Sequence, residues 1–156
     1  MHLIKICKSA KKSAGDLAGL SNSKRNKILE DLSKNLDERK EEIFNSNKRD
    51  LEKNKTLSKE LKDRLIINHK KLKDIILSIK NVKKLNDPLD GSEEYVRKDG
   101  LEIIKKVIPI GVICAIYESR PNVTIDITSL CIKSGNVAIL RGGKESLNTN
   151  SVLINI

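Results

Sequence analysis

Over the first 85 or so residues, apolar side chains recur with a helical period. Leu3, Cys7, Ala10, Ala14 and Leu17 share one face, Ile28, Leu32 and Leu36 repeat the pattern, and Ile43, Phe44 and Leu51 carry a third segment. Ser21 and Ser23 stand where the second helix needs an N-cap. After Thr56 and Ser58 a short helix carries Leu61 and Leu65. Leu72, Ile75, Ile76, Ile79 and Val82 then show the clearest 3.6-residue period in the chain. His69 falls at the start of that last helix and reads as solvated rather than catalytic.

The pattern changes at "NDPLDGSEEYVRKDG" (86–100), where Asp87-Pro88, Asp90-Gly91 and Asp99-Gly100 are turn dipeptides. The residues between them predict a short hairpin or an exposed arm. "VIPIGVICAIY" (107–117) is apolar on both alternating faces and predicts a buried parallel strand, with Pro109 and Gly111 at its entry. In "NVTIDITSLCIKSGN" (122–136), Val123, Ile127, Leu130 and Cys131 stand at helical spacing, and Gly135 suits a left-handed C-cap. "VAIL" (137–140) predicts a second buried strand, followed by "RGGKES" and a further helical start. Strand, helix, strand, glycine turn and helix make one right-handed βαβ unit running into a second crossover. The expected fold class is α/β. Residues 1–86 form a helical region, 87–106 a turn-rich arm or hairpin, and 107–156 part of a Rossmann-like parallel sheet.

Ligands of an open parallel sheet bind at the carboxyl ends of its strands. Two polar clusters fall there. In "RGGKES", Gly142 and Gly143 permit close backbone approach, and Arg141 and Lys144 add two cations ahead of a helix start. That composition suits phosphates, although a Gly-Gly turn after a strand also arises for packing alone. No GxGxxG or GxxxxGK[ST] stands anywhere in the chain. In "YESRPNVT", Asn122 opens a helix. It either caps that helix or turns its amide into the cleft as an oxyanion donor.

Composition narrows the function classes. The 156 residues carry a formal charge of +10, but 24 of the 31 basic residues are Lys and are scattered through helical segments. Aromatic content is 2%, which leaves few platforms for base stacking, so a solvated lysine-rich surface is expected and no nucleic-acid partner. No apolar run reaches membrane-span length and the N-terminus has no signal-peptide core, so a cytoplasmic protein without a membrane partner is expected. Cys7, Cys114 and Cys131 form neither a disulfide framework nor a metal-ligand spacing, and no metal is expected. Cys114 and Cys131 read as buried small hydrophobes.

The run "IPIGVICAIYESRPNVTIDITSLCIKSGNVAILRGGKES" resembles the signature region of the γ-glutamyl phosphate reductases (glutamate-5-semialdehyde dehydrogenases) of the aldehyde dehydrogenase superfamily. "YESRPNVT", "KSGN" and "ILRGGKE" stand in the family's order. "LSNSKRNKIL", "IFNSNKRDL", "LSKELKDRL" and "DGLEI" extend the likeness upstream over the whole chain. The resemblance implies an oxidoreductase of proline biosynthesis that uses NADPH to reduce L-glutamyl 5-phosphate to L-glutamate 5-semialdehyde, through a cysteine thiolate that attacks the acyl phosphate. It implies that Asn122 is the oxyanion-hole asparagine and that Arg141, Gly142, Gly143, Lys144 and Glu145 form the cofactor turn. Glu118 and Arg120 match family positions and are assigned to the substrate. The full-length family is expected to be homo-oligomeric. The family's nucleophile lies in a "PSxCN"-like segment downstream of "RGGKE" that residues 1–156 do not contain. This N-terminal portion is therefore expected to be inactive alone. A nucleotide-binding module or a decayed, non-catalytic fragment is the alternative.

Overall fold

A computed structural model describes residues 2–156. Five helices come first: α1 (His2–Ala18), α2 (Asn22–Glu38), α3 (Lys40–Lys53), α4 (Lys59–Leu65) and α5 (His69–Lys84). Short polar side chains start three of them by accepting a backbone N–H. Ser21 accepts from Lys24, Ser58 from Leu61, and Asn68 from Lys71. A hairpin follows, in which β1 (Ser92–Val96) pairs antiparallel with β2 (Glu102–Lys106). Then come β3 (Val112–Ile116), α6 (Pro121–Lys133), β4 (Val137–Arg141), a 3-10 turn (Lys144–Ser146) and α7 (Leu147–Ile154). β3 and β4 run parallel, with Val112 opposite Val137 and Ile116 opposite Arg141, as the βαβ pattern requires.

The core lies where α2, α5 and α6 meet, around Leu29, Leu36, Leu72, Ile75, Ile79 and Ile125. Ile43 joins it from α3 and Leu153 from α7. The buried stripe of α2 runs through Leu29, Ser33 and Leu36, one residue round from the expected Ile28 and Leu32. α6 differs more. Its buried positions are Pro121, Thr124, Ile125, Ser129, Cys131 and Lys133, whereas Leu130 is exposed. The helix packs against α2, α5, α7 and β4 at once, so its polar side chains are buried as well and find acceptors on α6 itself or on helices packed against it, α2 among them. Ser129 donates to the Ile125 carbonyl, and Lys133 donates to the side-chain oxygens of Asn22 and Asn26.

The first strand departs from the expected buried run. β3 begins at Val112 rather than near 107, and Ile110 and Ile116 are 82% and 76% exposed. Cys114 is exposed too, not a buried hydrophobe; Cys131 is buried as expected. Among the described residues, α1 and α6 both pack on β4, and little of either lies over β3. The same geometry explains α1. Ala10 and Ala14 are buried against the sheet side, but Leu3 and Cys7, on the same predicted face, are exposed.

α6 ends at Gly135, with φ +70°, where an added Cβ would also meet the Pro109 ring at 2.9 Å. Asn136 then turns its side-chain oxygen to accept the Gly111 N–H at 2.7 Å. The "KSGN" corner thereby ties the entry of β3 to the entry of β4.

Candidate functional site

Because β3 and β4 are parallel, their carboxyl ends open on one edge, and the ladder continues past them as the Tyr117 N–H donates to the Arg141 carbonyl at 3.1 Å. A directed hydrogen-bond chain locks the two ends together. Thr124 donates to the Asn150 side-chain oxygen at 2.9 Å, so its hydroxyl accepts from Tyr117, 2.7 Å away. Asn150 donates in turn to Ser146 at 2.9 Å, and Ser146 donates to the Gly143 carbonyl at 3.1 Å. A second latch runs from the Ser119 hydroxyl to the Glu145 carboxylate. This bond, aided by Glu145's own backbone N–H, holds the carboxyl group below the ordinary glutamate range.

The glycines of the turn fit between these latches. A Cβ on Gly142 would strike the Asn150 amide and meet the Tyr117 ring at 3.1 Å. One on Gly143 would strike the Ser119 hydroxyl and come within 2.7 Å of the Glu145 carboxylate. Neither glycine has a positive φ, so close approach and not backbone handedness requires them. Arg141 and Lys144 are exposed beside the turn.

At the other strand end, Arg120 occupies the cap position of α6, Pro121 the first turn, and Asn122 follows it. Asn122 therefore does not cap the helix. Its amide donates to the Asp126 carboxylate one turn on, at 3.2 Å, and the second oxygen of Asp126 accepts from Ser78 of α5 at 3.0 Å. These three side chains line a cleft of about 330 Å³ between α6 and α4–α5, with Arg64 and Lys71 at its rim. Glu118 pairs with Arg64 at 2.9 Å and lies 3.9 Å from Arg120, so the two residues assigned to substrate form one exposed ion network with Arg64. His69 is exposed, and its ring meets Phe44 edge-on at 4.5 Å.

α7 is placed from below. Asp50 of α3, 1% exposed, accepts the Thr149 N–H at 2.7 Å and the Asn148 N–H at 3.1 Å, and also both of their side chains. A buried carboxylate thus closes the N-terminus of the helix that follows the glycine turn. Sequence reading missed Asp50, Ser119, Asp126 and Asn150. Asp126 alone had a local signal, standing one helical turn after Asn122.

Among the described residues, no cluster of His, Cys, Asp and Glu could hold a metal ion, and no helix is long and apolar enough to cross a membrane.

The parallel strand pair with its surrounding helices has the aldehyde dehydrogenase fold. A Bacillus subtilis structure named as an aldehyde dehydrogenase superposes over 99% of this chain and 32% of its own, with TM-score 0.73 at 17% identity. The sequence relatives are more particular. Along its whole length the chain is similar to the N-terminal portion of γ-glutamyl phosphate reductases. The Actinobacillus pleuropneumoniae γ-glutamyl phosphate reductase is 42% identical over 162 aligned positions, covering 100% of this chain and 39% of the relative. The γ-glutamyl phosphate reductase structure from Thermotoga maritima matches 98% of this chain and 38% of its own, with TM-score 0.95 and 37% identity. The chain thus spans about two fifths of the length of the curated relatives it matches. No protein-family model matches it.

Proposed function

We propose that residues 1–156 are the N-terminal part of a cytoplasmic, NADPH-dependent oxidoreductase of proline biosynthesis, which converts L-glutamyl 5-phosphate to L-glutamate 5-semialdehyde and phosphate. The observation that carries this reading is Asn122. A primary amide has two N–H bonds; Asp126 holds one of them, so the other is free to donate into the cleft. A fixed neutral donor beside the first turn of a helix stabilises negative charge developing on a carbonyl oxygen, and being held in advance it needs no reorganisation during reaction. The relatives' name supplies the substrate, and the homo-oligomeric state is carried over with it.

The glycine turn fits the cofactor in part. Arg141 and Lys144 present two exposed cations at the strand ends, which suits a ribose phosphate, while Gly142 and Gly143 are filled from behind by the protein's own side chains. Arg141, Lys144 and the backbone of the turn would hold NADPH, which when bound supplies the hydride. Glu145, engaged by Ser119, keeps the turn closed on the "YESR" segment.

No cysteine of residues 1–156 is set to attack a carbonyl held at Asn122. Cys131 is nine residues further along α6, about 13 Å by helical rise, and burial pushes its thiol up. Cys7 lies on α1 and Cys114 in the middle of β3. Residues 1–156 alone are therefore expected to give no semialdehyde.

The test joins residues 1–156 in frame to the downstream segment of the Actinobacillus reductase. Asn122→Ala in that enzyme is expected to lower kcat by roughly 10²- to 10³-fold with little change in KM, the size of effect seen when one oxyanion donor is removed. Unchanged kcat would overturn the assignment. NADPH binding by the 156-residue chain without turnover in the joined enzyme would favour the nucleotide-binding module instead.

A further inference from the structure

The cleft beside Asn122 carries three charges without an ion-pair partner among the described residues: Asp126, Lys71 and Asp74, the last of them exposed. Asp126 is half-buried, and both of its oxygens are held by neutral donors, the Asn122 amide and the Ser78 hydroxyl; no cation pairs with it among the described residues. Lys71, at the rim, donates to the Asp63 backbone carbonyl and likewise has no carboxylate partner among the described residues. Arg64, by contrast, is neutralised by Glu118. A half-buried carboxylate bound only by neutral groups keeps a lone pair free on each oxygen and attracts a cation that brings its own N–H donors.

From this we infer that the cleft reads the α-amino-acid end of the substrate, with Asp126 accepting its α-ammonium and Lys71 meeting its α-carboxylate. The inference rests on the reading of Asn122 as the donor facing the reacting carbonyl. The lengths agree with that arrangement. Asn122 and Asp126 are one helical turn apart, about 6 Å along α6. In a glutamyl chain, four bonds separate the δ-carbonyl carbon from the α-nitrogen, about 5 Å when extended. A cleft of about 330 Å³ has room for that chain. Asp126 would then have two roles, fixing the Asn122 amide and selecting an amino acid over a plain dicarboxylic derivative.

Two measurements test the inference. In a ¹⁵N NMR titration of the 156-residue chain, L-glutamate is expected to shift the signals of Ser78, Asn122 and Asp126, and glutarate, which lacks the ammonium, to bind at least 10-fold more weakly. Asp126→Asn should remove that preference, while Asp74→Asn, on the same cleft but exposed, should keep it. In the joined enzyme, run in the oxidative direction, Asp126→Asn is expected to lower kcat/KM for glutamate 5-semialdehyde by roughly 10- to 100-fold, as loss of a charge-assisted hydrogen bond implies. Oxidation of 5-oxopentanoate, the analogue without the amino group, should change less than about threefold. An L-glutamate preference that survives in Asp126→Asn overturns the inference, as does the absence of any glutamate-dependent shift. Equal loss on both aldehydes reduces Asp126 to a support for Asn122 and overturns it as well. Failure of the underlying reading looks different: Asn122→Ala would then turn over normally, whatever Asp126→Asn does.

Discussion

Replacing Asp50 tests whether the helix behind the glycine turn is anchored by one carboxylate. Asp50 accepts two backbone N–H groups at the start of α7 and two side-chain donors from the same residues. In Asp50→Ala both N–H groups lose their acceptor in a site that water barely enters, at about 1–3 kcal/mol for each unsatisfied donor. Of the side-chain donors, the Asn148 amide is only half-buried and can turn to water, whereas the Thr149 hydroxyl is fully buried. A loss of about 3 kcal/mol follows, which for a chain of this size lowers Tm by about 6–12 °C. Asp50→Asn is not conservative here, because either position of its NH₂ faces donors; about 2 kcal/mol is expected. With no Trp and two Tyr, the chain is best followed by circular dichroism at 222 nm in urea. A loss under about 0.5 kcal/mol for Asp50→Ala, or one that vanishes in high salt, would show a solvated charge and refute the argument.

Other consequences can be checked as directly. Gly143→Ala is expected to cost about 1–3 kcal/mol, since its methyl group must displace Ser119 and Glu145 although the backbone there is ordinary (φ −63°); a neutral result in urea denaturation would remove the close-packing account of the turn. Glu145 has its folded pKa lowered, so the stabilisation from its Ser119 bond is present above the ordinary glutamate value and is lost as pH falls through the folded value. Ser119→Ala should move the Glu145 carboxyl titration, followed by ¹³C NMR, back up towards the ordinary value, and an unmoved titration would contradict this. Thiol labelling of the native chain should modify Cys7 and Cys114 promptly and Cys131 only on unfolding; early loss of the Cys131 thiol would mean that α6 is not seated as described.

Hydrophobic spacing located the helices because α2 and α5 each bury one stripe, as with Leu72, Ile75, Ile79 and Val82. It failed on α6 for a physical reason. That helix is surrounded, so Thr124, Ser129 and Lys133 are as buried as Ile125, and a rule that separates apolar from polar positions cannot see them. It also overstated the burial of β3, because an apolar strand reveals its propensity and not how many neighbours cover it. The parallel pairing and the shared polar edge were legible, since both follow from element order alone. Asp50 could not be found locally: its partners lie 98 and 99 residues away, and in a lysine-rich helix an aspartate looks solvated.

The two polar clusters are therefore one structural unit. "YESRPNVT" supplies Tyr117, Ser119 and Thr124, and "RGGKES" supplies Gly143, Glu145 and Ser146; each side holds the other's backbone or side chain, with Asn150 as the bridge between Thr124 and Ser146. Such a network is stable only when every member is satisfied, and here each donor has a named acceptor. This gives Asn122 its fixed position: it follows Pro121 on a helix whose first turn is clamped to the glycine turn through Thr124 and to α5 through Asp126 and Ser78. Loosening either latch should move the amide relative to Arg141 and Lys144. The Asp50 anchor, although it touches neither cluster, sets the same distance through α7 and Asn150.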